Sequence, residues 1–299
     1  MRTLRIEQAD ADQRLDRFLR KAWPGATLGH IYKVLRRGEV LVNGAKVEAG
    51  YRLALDDELT IAVDAARWEK LRPADDGVQA QAQAGPVTVV HRDADLLVAD
   101  KPAGLALHAG SGVRDHLLGR VQAMLGVGAG YTFKVAPAHR LDRDTSGLVV
   151  FGVSAAGLRG FTAALRERAV EKRYLALVHG HPPAEGEIDL TLAVGEPESA
   201  DLPKTVPAAD GRVARTRYRV TATRGDASLV EIILDTGLTH QIRAHFAAVG
   251  CPVIGDRRYG RPDGATRLHL HAWRLSCTHP VRGTLLRVQA SPPPELAGR

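Results

Sequence analysis

The chain has 299 residues, with 41 Lys+Arg against 34 Asp+Glu, a net charge of +7 at pH 7, 44% hydrophobic residues and 2 cysteines. That length allows one large or two smaller globular domains, and two cysteines, Cys251 and Cys277, exclude a disulfide framework. The opening MRTLRIEQAD is too charged for a signal peptide and no apolar run matches a membrane span, so we expect a cytoplasmic protein whose surplus charge favours a polyanion. Arginine supplies 33 of the 41 cations, a bias that suits phosphate forks and base stacking and that genomic base composition also produces.

In chain order, Leu15, Phe18 and Leu19 recur at helical spacing, with Arg14, Arg17 and Lys21 on another side of the same helix. A second helix follows Thr27 as N-cap. It should bury Leu28, Ile31 and Leu35, expose Lys33, Arg36 and Arg37, and end at Gly38. Val40–Val42 and Ala45–Val47 flank Asn43-Gly44, the preferred pair of a type I′ hairpin turn, and Leu59, Ile61 and Val63 alternate as a half-buried strand. The basic residues of both helices form a concentrated phosphate-binding face or, on the plainer reading, a solvated surface. Residues 65–86, rich in Ala, Gln, Gly and Pro, read as a linker.

A second domain over 87–299 begins with the strand pair VTVV and LLVA, the turn Lys101-Pro102-Ala103-Gly104 and a helix near 113–125. Ser154 should cap a helix to about Arg168. Strands are expected near 172–179, 187–194, 212–220 and 228–235, then a short helix from a Thr239 cap to Gly250, then strands near 266–275 and 284–290. The pattern is α+β, with a large mixed or antiparallel sheet flanked by helices.

Two segments carry chemistry. His139-Arg140-Leu141-Asp142-Arg143-Asp144-Thr145-Ser146-Gly147 sets carboxylates among arginines and stops at a glycine turn before the apolar run Leu148–Phe151. Neighbouring positive charge favours a carboxylate over its neutral acid, which suits nucleophilic work better than proton donation; a solvated charged turn is the plainer alternative. In Thr239-His240-Gln241-Ile242-Arg243, an Arg in the first helical turn is badly placed for the helix dipole, so an anion nearby would compensate. His269 and His271 share a strand face, but no third metal ligand stands at a recognisable spacing.

HRLDRDTSG resembles the active-site signature of the RluA-type pseudouridine synthases, in which the Asp after Arg-Leu is catalytic; here that is Asp142. TGLTHQIR resembles that family's motif in which the Arg pairs with the catalytic Asp, which implies Arg243, although Leu238 stands where the family usually has Arg. The Lys172-Arg173-Tyr174 segment resembles the family's K-x-Y, whose Tyr stacks on the target base, implying that role for Tyr174. KPAGLALHAGSG resembles a segment near the family's cleft, so Lys101 and His108 join His139, Arg140, Leu268 and Leu270 as expected cleft residues. Gly255–Gly260 and Arg267–Ala272 also fit the family and read mostly as scaffold. Within an expected N-terminal domain over 1–64, residues 12–64 resemble the S4 RNA-binding domain, which implies RNA contacts from Arg14, Arg17, Lys21, Lys33, Arg36 and Arg37.

The resemblance implies a monomer that isomerises uridine to pseudouridine in large-subunit ribosomal RNA, free or in an assembling particle. The reaction is redox-neutral and needs no cofactor or metal, in keeping with a sequence that has no P-loop, dinucleotide fingerprint or cysteine cluster. Two other classes of function remain: an RNA-binding assembly factor with a degenerate site, and a base-excising glycosylase.

Overall fold

In a computed structural model, residues 2–63, 71, 85–109, 115–126, 132–195 and 204–297 are described. The expected linker lies almost wholly outside them, as does the start of the helix expected from 113.

The N-terminal domain packs two helices, α1 (Leu15–Ala22) and α2 (Leu28–Arg37), against an antiparallel sheet ordered β1 (Arg2–Arg5), β3 (Glu58–Ile61), β2 (Val40–Val42). Thr27 caps α2 by accepting the His30 amide at 3.3 Å, and Gly38 ends it at φ +69°. Leu28, expected inside, opens the helix and stays 46% exposed, because the buried stripe is Ile31, Val34 and Leu35. Asn43 and Gly44 both take positive φ, as a type I′ turn requires, but Ala45–Val47 forms no strand. β2 pairs instead with β3, and the Asn43 side chain ties the turn to that strand, donating to Asp57 and accepting the Glu58 amide, each at 2.8 Å.

The larger domain holds an 11-stranded mixed sheet. Its strands are β4 (Thr88–Arg92), β5 (Leu96–Lys101), β6 (Ala136–Pro137), β7 (Ser146–Gly152), β8 (Glu171–His179), β9 (Glu185–Val194), β10 (Thr205–Pro207), β11 (Arg212–Arg224), β12 (Ala227–Leu234), β13 (Leu270–Thr278) and β14 (Leu285–Gln289). The order is β10-β9-β11-β12-β8-β13-β7-β5-β4, with β14 beside β13 and β6 beside β7. The runs LLVA and GLVVF are apolar throughout because β5 and β7 are covered on both faces: Leu97, Val149 and Phe151 on one, Leu96, Val98 and Leu148 on the other. α3 (Leu117–Leu125) and α5 (Gln241–Ala248) pack on the first face, and α4 (Ala155–Arg166) covers the second through Phe161. Ser154 caps α4, accepting the Gly157 amide at 2.9 Å while donating to Asp95 at 2.6 Å.

One seam of the sheet is short. β7 and β13 run parallel and pair only through Ser146–Gly147 with His271–Ala272. Gly147 is therefore part of a strand rather than a turn. At φ +109°, a Cβ there would lie 2.2 Å from the Ala272 carbonyl, so no larger residue allows the two strands to meet. The loops that enter these parallel strands, 138–145 and 266–269, consequently lie side by side, and they carry Asp142 and Leu268.

The domains meet through residues 8–13. The Asp10 carboxylate accepts from the Thr132 and Phe133 amides at 3.0 and 2.8 Å, Asp12 pairs with Arg159, and Ala9 packs on Phe133 and Ala155.

Candidate active site

Asp142 projects from the loop between β6 and β7 into a cleft of about 710 Å³ whose lining carries seven Lys or Arg residues against Asp142 and Asp144. Two devices hold that loop from beneath. Arg143 exchanges hydrogen bonds with Gly104, the Gly104 amide donating to the Arg143 carbonyl and Arg143 Nε to the Gly104 carbonyl, each at 3.0 Å. Lys101, wholly buried, donates from Nζ to the carbonyls of Pro102, Leu105 and Arg143 at 3.0, 2.8 and 2.7 Å. Burial pushes its pKa down to about 8, with Asp144 and Asp142 opposing. Lys101 thus stands under the cleft rather than in it: its three donors are spent on backbone, which corrects the expectation of a cleft residue.

Arg243 reaches Asp142 from α5. Its Nη1 lies 3.5 Å from Asp142 Oδ2, while Nε and Nη2 form a fork on Asp256 at 2.8 Å each. Asp256 also accepts the Arg258 and Tyr259 amides at 2.9 and 3.0 Å, and its side chain is fully buried. Burial works against charge on both partners; the fork outweighs it, leaving Arg243 above and Asp256 below their usual values. These two carboxylates are the anions that a guanidinium in a first helical turn calls for. Asp256 takes the strong bidentate bond and Asp142 the weak outer one, which leaves Asp142, 17% exposed, free to engage a ligand.

His240, the residue before α5, closes the other side. Its Nε2 is 3.7 Å from Asp142 Oδ1 and its Nδ1 is 2.9 Å from the Tyr259 hydroxyl. That hydroxyl accepts the Thr205 amide at 2.8 Å and has its own proton to offer Nδ1; in that tautomer the imidazole N–H sits on Nε2 and faces Asp142. His240, not Thr239, is the N-cap. It sits at φ +55°, a strained conformation held by the Gln241 carboxamide, which accepts from Thr236 and the Leu238 amide and donates to Arg215 and Thr216.

Beyond Asp142 the cleft narrows into a pocket of about 60 Å³ walled by Tyr174, Leu234, Leu238, Ile242 and Leu270, with Asp142, Arg140, His240 and Arg243 at its mouth. Tyr174 is 7% exposed, and burial, with Asp142 adding, drives its pKa upward. The structure therefore gathers Asp142, Arg243, Tyr174, Arg140, Leu268 and Leu270 in one place. His139 does not join them: its Nε2 accepts the Val150 amide at 3.2 Å, its ring stacks on Phe161, and burial pushes its pKa down to about 4. His139 packs with the opposite face of the sheet and is scaffold. His108 is exposed and lines neither the cleft nor the pocket.

In the N-terminal domain, Arg17, Lys33 and Arg36 are exposed and form no ion pair among the described residues. Two expected contacts are committed elsewhere. The Arg14 fork closes on Asp16 at 2.8 and 3.1 Å, and Lys21 donates to Gln13 at 2.7 Å. Arg37 lies 3.6 Å from Glu39.

Asp256, His240, Gln241 and Tyr259 are the site residues that sequence reasoning missed. The signal lay in GDRRYG and THQIR, whose polar residues recur at intervals that no amphipathic pattern demands. Residues 95–248 match the family model described as RNA pseudouridylate synthase, and residues 13–59 match that of the S4 domain. The chain is 33% identical, over 95% of its length and 91% of the relative's, to ribosomal large subunit pseudouridine synthase C of Vibrio cholerae and, with the same figures, of Escherichia coli K12. Human RNA pseudouridylate synthase domain containing 1 superposes with a TM-score of 0.58 at 26% identity, over 71% of this chain and 86% of that one. The chain belongs to the RNA pseudouridylate synthase family, with an S4 domain ahead of the catalytic one.

Proposed function

We propose that this chain isomerises specific uridines of large-subunit ribosomal RNA, with Asp142 as the reacting carboxylate. In that reaction the N1–C1′ bond of uridine breaks, uracil turns, C5 bonds to C1′ and then gives up its proton, and N1 ends protonated, with no change in oxidation state. The base must leave its stack and enter a pocket of apolar and aromatic walls, with a carboxylate at the ribose. The observation that carries the reading is the position of Asp142 at the mouth of both the wide basic cleft and the small apolar pocket, whereas Asp144 lines the cleft alone. Tyr174 then faces the base, Arg243 orients Asp142, and the cleft arginines hold phosphate. Ribosomal RNA as substrate draws on the relatives named above and on the basic S4 face. The same reading makes the protein a cytoplasmic monomer acting on ribosomal RNA or on an assembling particle, in keeping with the unpaired Cys251 and Cys277.

Mapping pseudouridine in ribosomal RNA treated with the pure protein tests the reading. Wild type should yield a carbon-linked nucleoside and no free uracil, Asp142→Asn should abolish turnover while still binding RNA, and Asp144→Asn should keep substantial activity. Release of uracil would point to a glycosylase, and RNA binding without modification to an assembly factor.

A further inference from the structure

A second groove, of about 780 Å³, crosses one end of β11, β12, β8 and β13 and is flanked by the C-terminal turn of α4. Its lining carries six cations against two carboxylates, Glu171 and Asp235. Two of the cations are already paired, Arg215 with Glu187 and Asp189 at 3.0 and 2.9 Å, and Arg217 with Asp235 at 2.7 Å. Arg166, Arg168 and Arg212 are exposed and make no ion pair among the described residues. Lys172 is the telling residue. Its side chain is half-buried and has neither a carboxylate nor a hydrogen-bond acceptor among the described residues, and burial alone pulls its pKa down. Its Nζ rests beside Gly237, 3.5 Å from where a Cβ would stand. A partly desolvated ammonium without a counter-charge is unfavourable, and an anion brought from outside would relieve it.

The groove is not isolated from the chemistry. Leu234 and Leu238 wall both the groove and the pocket that holds Tyr174. Lys172 and Tyr174 stand two residues apart on β8 and project to the same side, about 7 Å apart along the strand. The groove therefore opens onto the pocket assigned to the base. Cleft, pocket and groove form one track across the sheet, basic at both ends and apolar in the middle.

We propose that the groove is a subsite for the ribose-phosphate backbone beside the extruded uridine, with Lys172 binding a phosphate and Arg168 and Arg212 flanking it. The proposal rests on the functional reading above. An acidic protein segment would have no use for the opening into the base pocket, which favours RNA as the occupant.

The test uses the full chain and deproteinised large-subunit ribosomal RNA from the cells that make it, with affinity measured from about 0.1 to 1 M salt. Lys172→Met and the double variant Arg168→Gln/Arg212→Gln are compared with wild type. Each lost phosphate contact on a single strand should lower the salt slope by about 0.7, a loss of about fivefold in affinity at the low-salt end relative to the high. The defect should be overcome at saturating RNA. In a short synthetic RNA containing the mapped uridine, a methylphosphonate at the adjacent phosphate should weaken wild type and leave Lys172→Met no weaker than before. Unchanged affinity and slope in both variants would overturn the proposal and leave a solvated groove or one for an acidic partner. Equal methylphosphonate sensitivity in wild type and Lys172→Met would overturn it by placing the phosphate elsewhere. A wild-type protein that binds RNA and shows these losses but forms no pseudouridine would instead sink the catalytic reading and keep the subsite.

Discussion

Replacing Asp256 with asparagine separates two roles that Arg243 combines. The carboxamide would keep an oxygen for the Arg258 and Tyr259 amides, but would turn an N–H towards Arg243, whose fork now closes on both Asp256 oxygens at 2.8 Å. Breaking a buried ion pair from one side costs about 3–5 kcal/mol. Here the low end applies, because Asp142 stands 3.5 Å from the orphaned guanidinium and can take over part of its neutralisation. A loss of about 3 kcal/mol corresponds to a fall in Tm of roughly 6–12 °C for a domain of this size. The takeover has a chemical consequence: Arg243 would draw Asp142 into a full ionic hydrogen bond of about 1.5–3 kcal/mol that substrate must break, slowing turnover about 10- to 150-fold. Single-turnover kinetics on ribosomal RNA, beside RNA affinity and a thermal melt, provide the assay. The fall should lie in the rate at saturation and not in affinity, since Asp256 has no exposed side-chain surface. Combining Asp256→Asn with Arg243→Lys should cost far less than the sum of the two. A melt shifted as expected with normal turnover would refute the positioning role, and additive losses would show that the two residues act separately.

Lys101→Met should leave RNA affinity near normal while lowering turnover at least tenfold, because the Arg143 carbonyl next to Asp142 loses its 2.7 Å donor; unaltered turnover would make the ammonium dispensable. In wild type, turnover should decline as pH rises through about 8, where Lys101 begins to lose the proton that serves one of its three carbonyls, and a flat alkaline limb would exclude this. Charge reversal at Arg17, Lys33 and Arg36 should flatten the salt dependence of RNA binding, by about 0.7–0.9 per lost contact, whereas Arg14→Ala and Lys21→Ala should act mainly on stability; affinity titrations and melts distinguish these. Asp93 is opposed by burial, yet the Leu96 and Asp95 amides, His91 and His279 bring its pKa down to about 2, so it adds stability that is complete above the ordinary carboxylate range and lost as pH falls through about 2; Asp93→Asn should flatten that acid limb in denaturant titrations.

Local signals carried much of the fold. Thr27 and Ser154 cap their helices, Gly38 ends one, and Asn43-Gly44 adopts its turn, because each depends on atoms within a few residues. What the neighbouring sequence could not show was which strand a turn would serve: Ala45–Val47 has the composition of a hairpin arm, yet the partner of β2 comes from Glu58–Ile61. Thr239 looks a better cap than His240 by propensity, and it lost because the Gln241 carboxamide shapes the turn through Arg215 and Thr216, more than twenty residues away.

The same division runs through the site. The residue types alone marked Asp142 as a carboxylate in a cationic setting and Arg243 as a cation in need of an anion, since charge beside charge and charge beside a helix dipole are local facts. Their meeting across 101 residues, the prior claim of Asp256 on the Arg243 fork, the retreat of His139 to the far side of the sheet and the burial of Lys101 beneath the loop were decided by packing. A sequence specifies which groups prefer to be charged, capped or buried. Only the closed parallel seam of β7 and β13, possible because Gly147 has no side chain, determines which of them share one cleft.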